Sequence, residues 1–211
     1  MRGLNESLPA GSILSTAVRW PAKREGPVQR ELVERAAKGD QDAFTSLAAS
    51  CVDRCYALSY RILRDPDQAQ DATQQALIGA WRDLPSLRDP ERFDAWLNRL
   101  VVNACYVELR AERRRAARVR VISLDGSHTP DAAISVADRA ALEDAFRSLT
   151  PEQRAVVVSH HYLGFPLTEI AVTLGIPVGT ARSRLHYAVR QLRAVLDAEA
   201  PSAAAVKERS A

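Results

Sequence analysis

The sequence has no run of apolar residues near the ~18 that a membrane-spanning helix requires. Its first residues lack the unbroken apolar stretch of a secretory signal peptide. Glycine and proline number only nine and 11, which excludes collagen-like and low-complexity proteins. Apolar residues make up 46% of the chain and charged residues 26%, as in a folded protein. We therefore expect a cytoplasmic protein with no membrane insertion.

Cysteine is also scarce, with three residues among 211. An odd number without a secretory signal argues against a disulfide framework. Cys51 and Cys55 lie four residues apart, but no nearby histidine completes the ligand set of a zinc site. On a helix they share an apolar stripe with Phe44, Leu47 and Leu58, so we interpret them as buried small hydrophobic residues. We predict no metal and no cofactor.

The alternating pattern of a β-strand is almost absent, whereas the helical period recurs along most of the chain. Three pairs of a capping residue and a proline predict helix starts, at Asp65-Pro66, Asp89-Pro90 and Thr150-Pro151. Gln153 adds a capping box to the third of these, and Asp40 is a further predicted N-cap. The sequence therefore predicts an all-α fold.

Composition divides the chain into two small helical domains joined by a flexible linker. Helical periodicity predicts a first domain over residues 29–116 and a second over 137–197. Residues 117–136 contain glycine, proline and several hydroxyl residues, as expected of the linker. We expect residues 1–28 and 198–211 to be a disordered N-terminal extension and a disordered tail.

Lysine is rare, with three residues against 26 arginines. A GC-rich genome explains an arginine excess, but it does not explain why the arginines cluster. One cluster consists of Arg110, Arg113, Arg114, Arg115, Arg118 and Arg120, and a second of Arg182, Arg184, Arg190 and Arg193. The second cluster contains no acidic residue. Two basic stretches in a chain of net charge +3 favour two contacts with a polyanion.

Residues 167–193 have the pattern of a helix-turn-helix. Ala171 supplies the small residue where the two helices approach, and Gly175 supplies the residue that tolerates a positive φ in the turn. The outward face of the second helix carries Arg182, Ser183, His186, Tyr187 and Arg190. A basic face near the start of this helix is what entry into the DNA major groove requires. The alternative is an ordinary helical hairpin with a solvated arginine face.

Four segments together resemble bacterial extracytoplasmic-function (ECF) sigma factors of the sigma-70 family. They are Asp71-Ala-Thr-Gln-Gln-Ala-Leu-Ile-Gly-Ala-Trp81, Phe93-Asp-Ala-Trp-Leu-Asn-Arg-Leu-Val-Val-Asn103, Leu149-Thr-Pro-Glu-Gln-Arg154 and Pro177-Val-Gly-Thr-Ala-Arg-Ser-Arg-Leu-His186. The resemblance covers roughly residues 30–195. It implies a region 2-like bundle followed by a region 4-like helix-turn-helix domain.

The resemblance also implies the partners, which are core RNA polymerase (its β′ clamp helices and β flap), promoter DNA and an anti-sigma factor. The residues expected to bind core polymerase are Asp71, Gln74, Gln75, Ile78, Trp81 and Arg82. An acidic residue usually follows the glutamine in the family, where this chain has Gln75. A location of Ile78 and Trp81 in the core is the open alternative.

In such a protein the second domain would bind the −35 element and the first would melt the −10 element. The −35 contacts would be Thr180, Arg182, Ser183, Arg184, His186, Tyr187 and Arg190. Holding unstacked bases needs aromatic or arginine planes, and holding the backbone needs cations. The −10 contacts would be Arg88, Arg92, Phe93, Arg99, Asn103, Arg110, Arg113 and Arg114. We place Trp96 in the core, and a core position for Phe93 stays open.

Two other functions compete with this one. A helix-turn-helix regulator would bind DNA without core polymerase, but it leaves the Asp71–Trp81 and Phe93–Asn103 segments unexplained. An enzyme has only His160-His161 as a candidate site. Adjacent positions on a helix point about 100° apart, and no further group completes a catalytic set. We therefore expect a promoter-recognition subunit and not an enzyme.

Overall fold

The computed structural model describes residues 27–119 and 145–208, which are helical apart from short turns and loops and contain no β-strand. The helices are α1 (Pro27–Ala37), α2 (Gln41–Leu63), α3 (Pro66–Asp83), α4 (Phe93–Val119), α5 (Pro151–Val157), α6 (Leu167–Leu174) and α7 (Val178–Glu208). None of the helices within these ranges is long and apolar enough to cross a membrane. Most of the predicted linker and of the N-terminal extension lies outside the described residues.

The predicted start signals form the expected caps. The side chains of Asp40 and Asp65 accept hydrogen bonds from the backbone N–H groups of the third residues after them, at 3.0 and 2.9 Å. Thr150 and Gln153 form the reciprocal capping box that opens α5. Asp89-Pro90 begins a 3₁₀ turn, Pro90–Arg92, which leads directly into α4. These caps fix the residue at which each of these helices begins.

The first domain is a bundle of α1 to α4, in which α2 contacts α1, α3 and α4. Its central residues Leu47, Leu58 and Ile62 of α2 are almost fully buried, as is Val101 of α4. The faces of α3 that enter the bundle carry small side chains, at Ala69, Ala72, Ala76 and Ala80. Small residues allow α3 to approach its neighbours closely.

The second domain consists of residues 145–148, α5, a π-helical turn at Val158–Tyr162, α6 and α7. The π turn contains the adjacent histidines, of which His160 is partly buried and His161 is exposed. His160 Nδ1 lies 2.9 Å from the backbone oxygen of Phe165, so this ring holds the loop that leads into α6. A small core of Ala145, Leu149, Val157, Ala188 and Leu192 joins α5 to α7.

The two domains pack against each other. Val156, Phe165, Ile170 and Leu174 of the second domain belong to the same buried cluster as the core of the first domain. Helices α2 and α4 contact α5, and α4 also contacts α6. We predicted the two domains and their order from the sequence, but not this shared apolar contact.

Helix bounds differ from expectation at two places. Helix α4 continues to Val119, so the first residues of the predicted linker 117–136 are helical. Helix α7 continues to Glu208, although we expected a disordered tail from residue 198. Alanine, which is frequent after residue 197, has the highest intrinsic helix propensity and favours the continued helix, whereas Pro201 within it opposes the helix.

Candidate nucleic-acid and partner interfaces

The turn between α6 and α7 has the geometry of a helix-turn-helix. Gly175 adopts φ 60° and ψ 44°, and its N–H donates to backbone oxygens of the preceding turn, including that of Ala171. The N–H of Ile176 also donates to the Ala171 oxygen, at 3.0 Å, which completes the C-terminal cap of α6. Ala171 itself is buried. The two residues singled out in the sequence therefore form the turn that they were expected to form.

Helix α7 presents an exposed basic face near its start. The exposed side chains are Arg182, Ser183, His186, Tyr187 and Arg190. The N-terminal end of the helix dipole adds to the positive potential of these side chains. No acidic residue in the first turn offsets that potential. This face lies along one side of a single helix and is free of acidic residues, as insertion into a major groove requires.

Two residues of the expected −35 set lie apart from that face. Thr180 and Arg184 are only partly exposed. Arg184 Nη1 donates to the hydroxyl oxygen of Tyr106 on α4, at 3.2 Å. In this arrangement Arg184 therefore contacts the first domain, while its neighbours Arg182 and Ser183 face outward.

The expected −10 set spans the Pro85–Arg92 segment and the exposed side of α4. Its exposed members are Arg88, Arg92, Asn103, Arg110, Arg113 and Arg114, and Arg99 is partly buried. Phe93 is the exception and requires a correction. Its side chain is only 2% exposed and its ring packs 6.0 Å from that of Trp96, so it is a core residue that cannot stack on an unstacked base here.

Three arginines of the −10 set contact the second domain. Arg99 forms an ion pair with Glu169 of α6, and Arg113 forms one with Glu152 of α5. Arg110 Nη2 donates to the backbone oxygen of Leu174 at 3.2 Å, at the end of α6. These partners could not be predicted from the sequence, because each lies more than 35 residues away along the chain.

The residues expected to bind a partner lie on one exposed side of α3. Asp71, Gln74, Gln75, Ile78, Trp81 and Arg82 are all exposed. Ile78 is 52% exposed, which excludes a core position for it in this structure. Trp81 is 37% exposed and its ring centroid lies 4.9 Å from that of Phe44, so it belongs partly to the fold and partly to the surface.

An apolar groove of about 650 Å³ lies between α2 and α3 beside these residues. Its walls include Phe44, Val52, Tyr56, Ile78 and Trp81. Val52 and Tyr56 are exposed and were not among the residues predicted to bind a partner. The available signal was an apolar spacing of four residues on α2, on a side of the helix that does not include Cys51 and Cys55.

The three cysteines are buried. Cys51, Cys55 and Cys105 are at most 3% exposed, and all three are free thiols. Burial raises the pKa of the Cys105 thiol to about 12. The prediction of buried cysteines on the apolar side of α2 is confirmed for Cys51 and Cys55.

Comparison with known proteins identifies both domains. Residues 47–115 match the Sigma-70 region 2 family and residues 139–192 match the Sigma-70 region 4 family. The chain is 40% identical over 149 residues to the ECF RNA polymerase sigma factor SigL of Mycobacterium tuberculosis, covering 67% of this chain and 80% of that protein. It is 28% identical to the ECF sigma factor SigW of Bacillus subtilis, covering 78% and 94% respectively.

A solved structure shares the fold. The sigma factor RpoE of Bartonella quintana, crystallised with the anti-sigma factor NepR, aligns with a TM-score of 0.56 and 22% identity, covering 73% of this chain and 96% of that one. The region 2 match argues against a simple helix-turn-helix regulator, which needs no such domain. The chain therefore belongs to the ECF sigma factors of the sigma-70 family, which are not enzymes, and directs transcription initiation by RNA polymerase.

Proposed function

We propose that the second domain reads the −35 element through the exposed face of α7. The observation that carries this proposal is the set of outward side chains from Arg182 to Arg190 on a helix start that lacks acidic residues. Arg182 and Ser183 lie nearest the start of the helix, where side chains reach base edges. Arg190 lies two turns further on, where contacts with phosphates are expected.

The first domain, in this proposal, holds the melted −10 element along the Pro85–Arg92 segment and α4. Its exposed cations Arg88, Arg92 and Arg114, together with Asn103, supply contacts to the backbone and to base edges of a single strand. Arg99, Arg110 and Arg113 join them once their contacts with the second domain are released. Phe93 is left out of this set because it is buried.

The groove between α2 and α3 is the proposed contact with core polymerase, through the β′ clamp helices. An exposed apolar anchor surrounded by polar side chains is typical of a protein interface. Ile78 provides the anchor, while Asp71, Gln74 and Arg82 surround it. By resemblance to the family, we assign the β flap as the polymerase contact of the second domain.

The substitution Ile78→Asp tests this contact. It places a charge in a patch that binding would desolvate, at a cost of several kcal/mol, so we expect co-purification with core polymerase to be lost. Ile78 is 52% exposed, so the melting temperature should stay within about 2 °C of the wild type. Val28→Asp is the matched control, because Val28 is 69% exposed and lies on α1.

The outcomes separate the alternatives. Retained binding by the folded Ile78→Asp protein would place the polymerase contact elsewhere. Loss of binding by Val28→Asp as well would show a general effect of charge. Unfolding of Ile78→Asp alone would return Ile78 to the core and remove it as an anchor.

An anti-sigma factor is a second proposed partner, supported by the same exposed apolar groove. The Bartonella quintana sigma factor of similar fold was solved with such a partner. An anti-sigma factor that covers the groove would compete with core polymerase, so the Ile78→Asp protein would lose both partners. Because transcription initiation by RNA polymerase takes place on the chromosome, we place the protein in the cytoplasm.

A further inference from the structure

The Pro85–Arg92 segment, which is proposed to contact the −10 element, lies between two buried residues. Leu84 and Phe93 are buried, whereas none of the eight residues between them is. A stretch with so few buried apolar contacts has little local stability of its own. Its position therefore depends on the contacts that it makes with the neighbouring helices.

Helix α1 lies against this segment. It contacts both 3₁₀ turns, Leu84–Ser86 and Pro90–Arg92. Arg30 of α1 donates from Nη1 to Oε1 of Glu91 at 3.4 Å, and its Nε donates to Glu34 of the same helix at 2.9 Å. An exposed ion pair of this kind stabilises a structure little when it acts alone, so a second contact is needed to hold the segment.

Asp94 provides that second contact, because it joins three helices at the end of the segment. It lies in the first turn of α4. Its Oδ1 accepts hydrogen bonds from Nε2 of Gln29 on α1 at 3.2 Å and from Nη2 of Arg54 on α2 at 3.1 Å. The side chains of Arg54 and Asp94 are only 17% and 16% exposed, so salt screens this pair less than a surface pair. The start of α4 is therefore fixed to α1 and α2 where the segment enters it.

The segment is also ordered within itself. The backbone N–H of Leu87 donates to the Leu84 oxygen and that of Arg92 donates to the Asp89 oxygen, both at 3.0 Å. The carboxylate of Asp89 pairs with Nε of Arg92 at 3.4 Å. Because of these bonds, a shift of the start of α4 would move Arg88 and Arg92 with it. Recognition of a base requires its contacts to be held within about 0.5 Å.

We propose that Asp94, together with Gln29 and Arg30 of α1, positions the Pro85–Arg92 segment for selection of the −10 bases. These three are positioning residues that act through Arg88 and Arg92 and do not contact DNA themselves. The inference rests on the proposed function, since it takes Arg88 and Arg92 as −10 contacts. Helix α1 then controls how strictly the protein selects the −10 element, and it has no effect on selection of the −35 element.

The double substitution Gln29→Ala/Arg30→Ala tests the proposal in the full-length protein. It removes the polar contacts of α1 with Glu91 and Asp94. It leaves the half-buried pair of Arg54 and Asp94 in place, so the first domain should stay folded. Asp94→Asn is a second variant, which should act in the same direction and more strongly because it weakens the contacts with α1 and α2 together.

The matched control is Arg35→Ala/Gln41→Ala. It replaces the same two residue types, changes the net charge equally and lies at exposed positions of α1 and α2. It also breaks an ion pair of α1, the one between Arg35 Nη2 and Asp40 Oδ2 at 2.7 Å. That ion pair belongs to the end of α1 that is joined to α2, so the control should leave the Pro85–Arg92 segment in place.

Two measurements compare the variants with the wild type. Hydrogen–deuterium exchange followed by NMR reports on the N–H groups of Leu87 and Arg92 in the free protein. Transcription of genomic DNA by core polymerase, with mapping of RNA 5′ ends, reports how often start sites with one substituted −10 or −35 base are used.

For Gln29→Ala/Arg30→Ala we expect faster exchange at both N–H groups. One wrong base normally lowers use of a site by about fivefold or more, and this penalty should fall to about twofold at the −10 element. The penalty at the −35 element should not change. The control should match the wild type in both measurements.

Three results would overturn the proposal. Unchanged exchange at Leu87 and Arg92 would show that α1 does not hold the segment. Faster exchange with an unchanged penalty at −10 would show that the position of the segment does not determine base selection. Equal losses of selection at −10 and −35 would show a general effect on the fold. Wild-type start sites that share no −10 element would instead refute the proposed function itself.

Discussion

The indole ring of Trp81 on α3 packs against the ring of Phe44 on α2, with 4.9 Å between the ring centroids. The same indole is 37% exposed and forms one wall of the apolar groove. One side chain therefore joins two helices of the first domain and contributes to the proposed polymerase contact. Ile78, one helical turn earlier, lines the groove but is not part of the buried core.

Trp81→Ala should therefore lower both stability and polymerase binding. Truncation of a fully buried aromatic residue costs about 3–5 kcal/mol, and we expect about 1–3 kcal/mol for this half-exposed ring. Ile78→Ala, its control, should change the free energy of unfolding by less than about 0.5 kcal/mol. Urea denaturation followed by circular dichroism measures the free energy of unfolding of both variants, and co-purification with core polymerase measures their binding. Equal losses of stability for the two variants would contradict a role in the fold for Trp81 that Ile78 lacks.

Arg182 and Arg190 should differ in the kind of DNA contact that they lose. We expect Arg182→Ala to cost about 1–3 kcal/mol and to relax the preference at one −35 position. Arg190→Ala should weaken all sequences alike and lower the salt slope by about one. Holoenzyme binding to a panel of −35 variants at several salt concentrations distinguishes them. Identical losses, independent of sequence, would refute the assignment.

The same substitution should have opposite effects at two glycines of the helix-turn-helix. Gly175 has φ 60°, a conformation that costs an L-residue roughly 1–2 kcal/mol, so Gly175→Ala should destabilise by about that amount. Gly179 lies in α7 and an added methyl group there meets open space. Gly179→Ala should stabilise by about 0.4–1 kcal/mol. Thermal denaturation of both variants measures the sign of each change in stability. A stabilised Gly175→Ala protein would exclude the positive φ of Gly175 in this turn.

The cysteines should report on unfolding. All three are buried, and the raised pKa of the Cys105 thiol, about 12, keeps it protonated in the folded protein up to at least pH 9. Reaction with Ellman's reagent should therefore be slow in buffer at pH 8 and rapid in urea. Raising the pH from 7 to 9 should not make Cys105 reactive while the fold persists. Rapid labelling of Cys105 in the native protein would contradict its burial.

Local signals predicted the local structure. The caps at Asp40, Asp65 and Thr150 and the turn at Gly175 each depend on one or two neighbouring residues. The outward face of α7 followed from helical periodicity, since residues three and four apart share a side. The family resemblance, carried by four segments, supplied the functions that we propose for the two domains.

Contacts between distant segments could not be predicted in this way. Nothing near Arg99 in the sequence indicates that Glu169 pairs with it, and nothing near Ile62 indicates that Arg154 caps its helix. Phe93 lies where a DNA-contacting aromatic residue was expected, yet its helix turns the ring into the core. Such choices depend on how whole helices pack, which periodicity alone does not determine.

The central claim is that the holoenzyme reads two promoter elements, one with each domain. Its most direct test is transcription of genomic DNA by core polymerase with this protein, followed by mapping of RNA 5′ ends. We predict new start sites that share one element near −10 and another near −35, and that Arg182→Ala redistributes them according to one −35 base. Start sites identical with and without the protein, or sharing no upstream element, would contradict the claim.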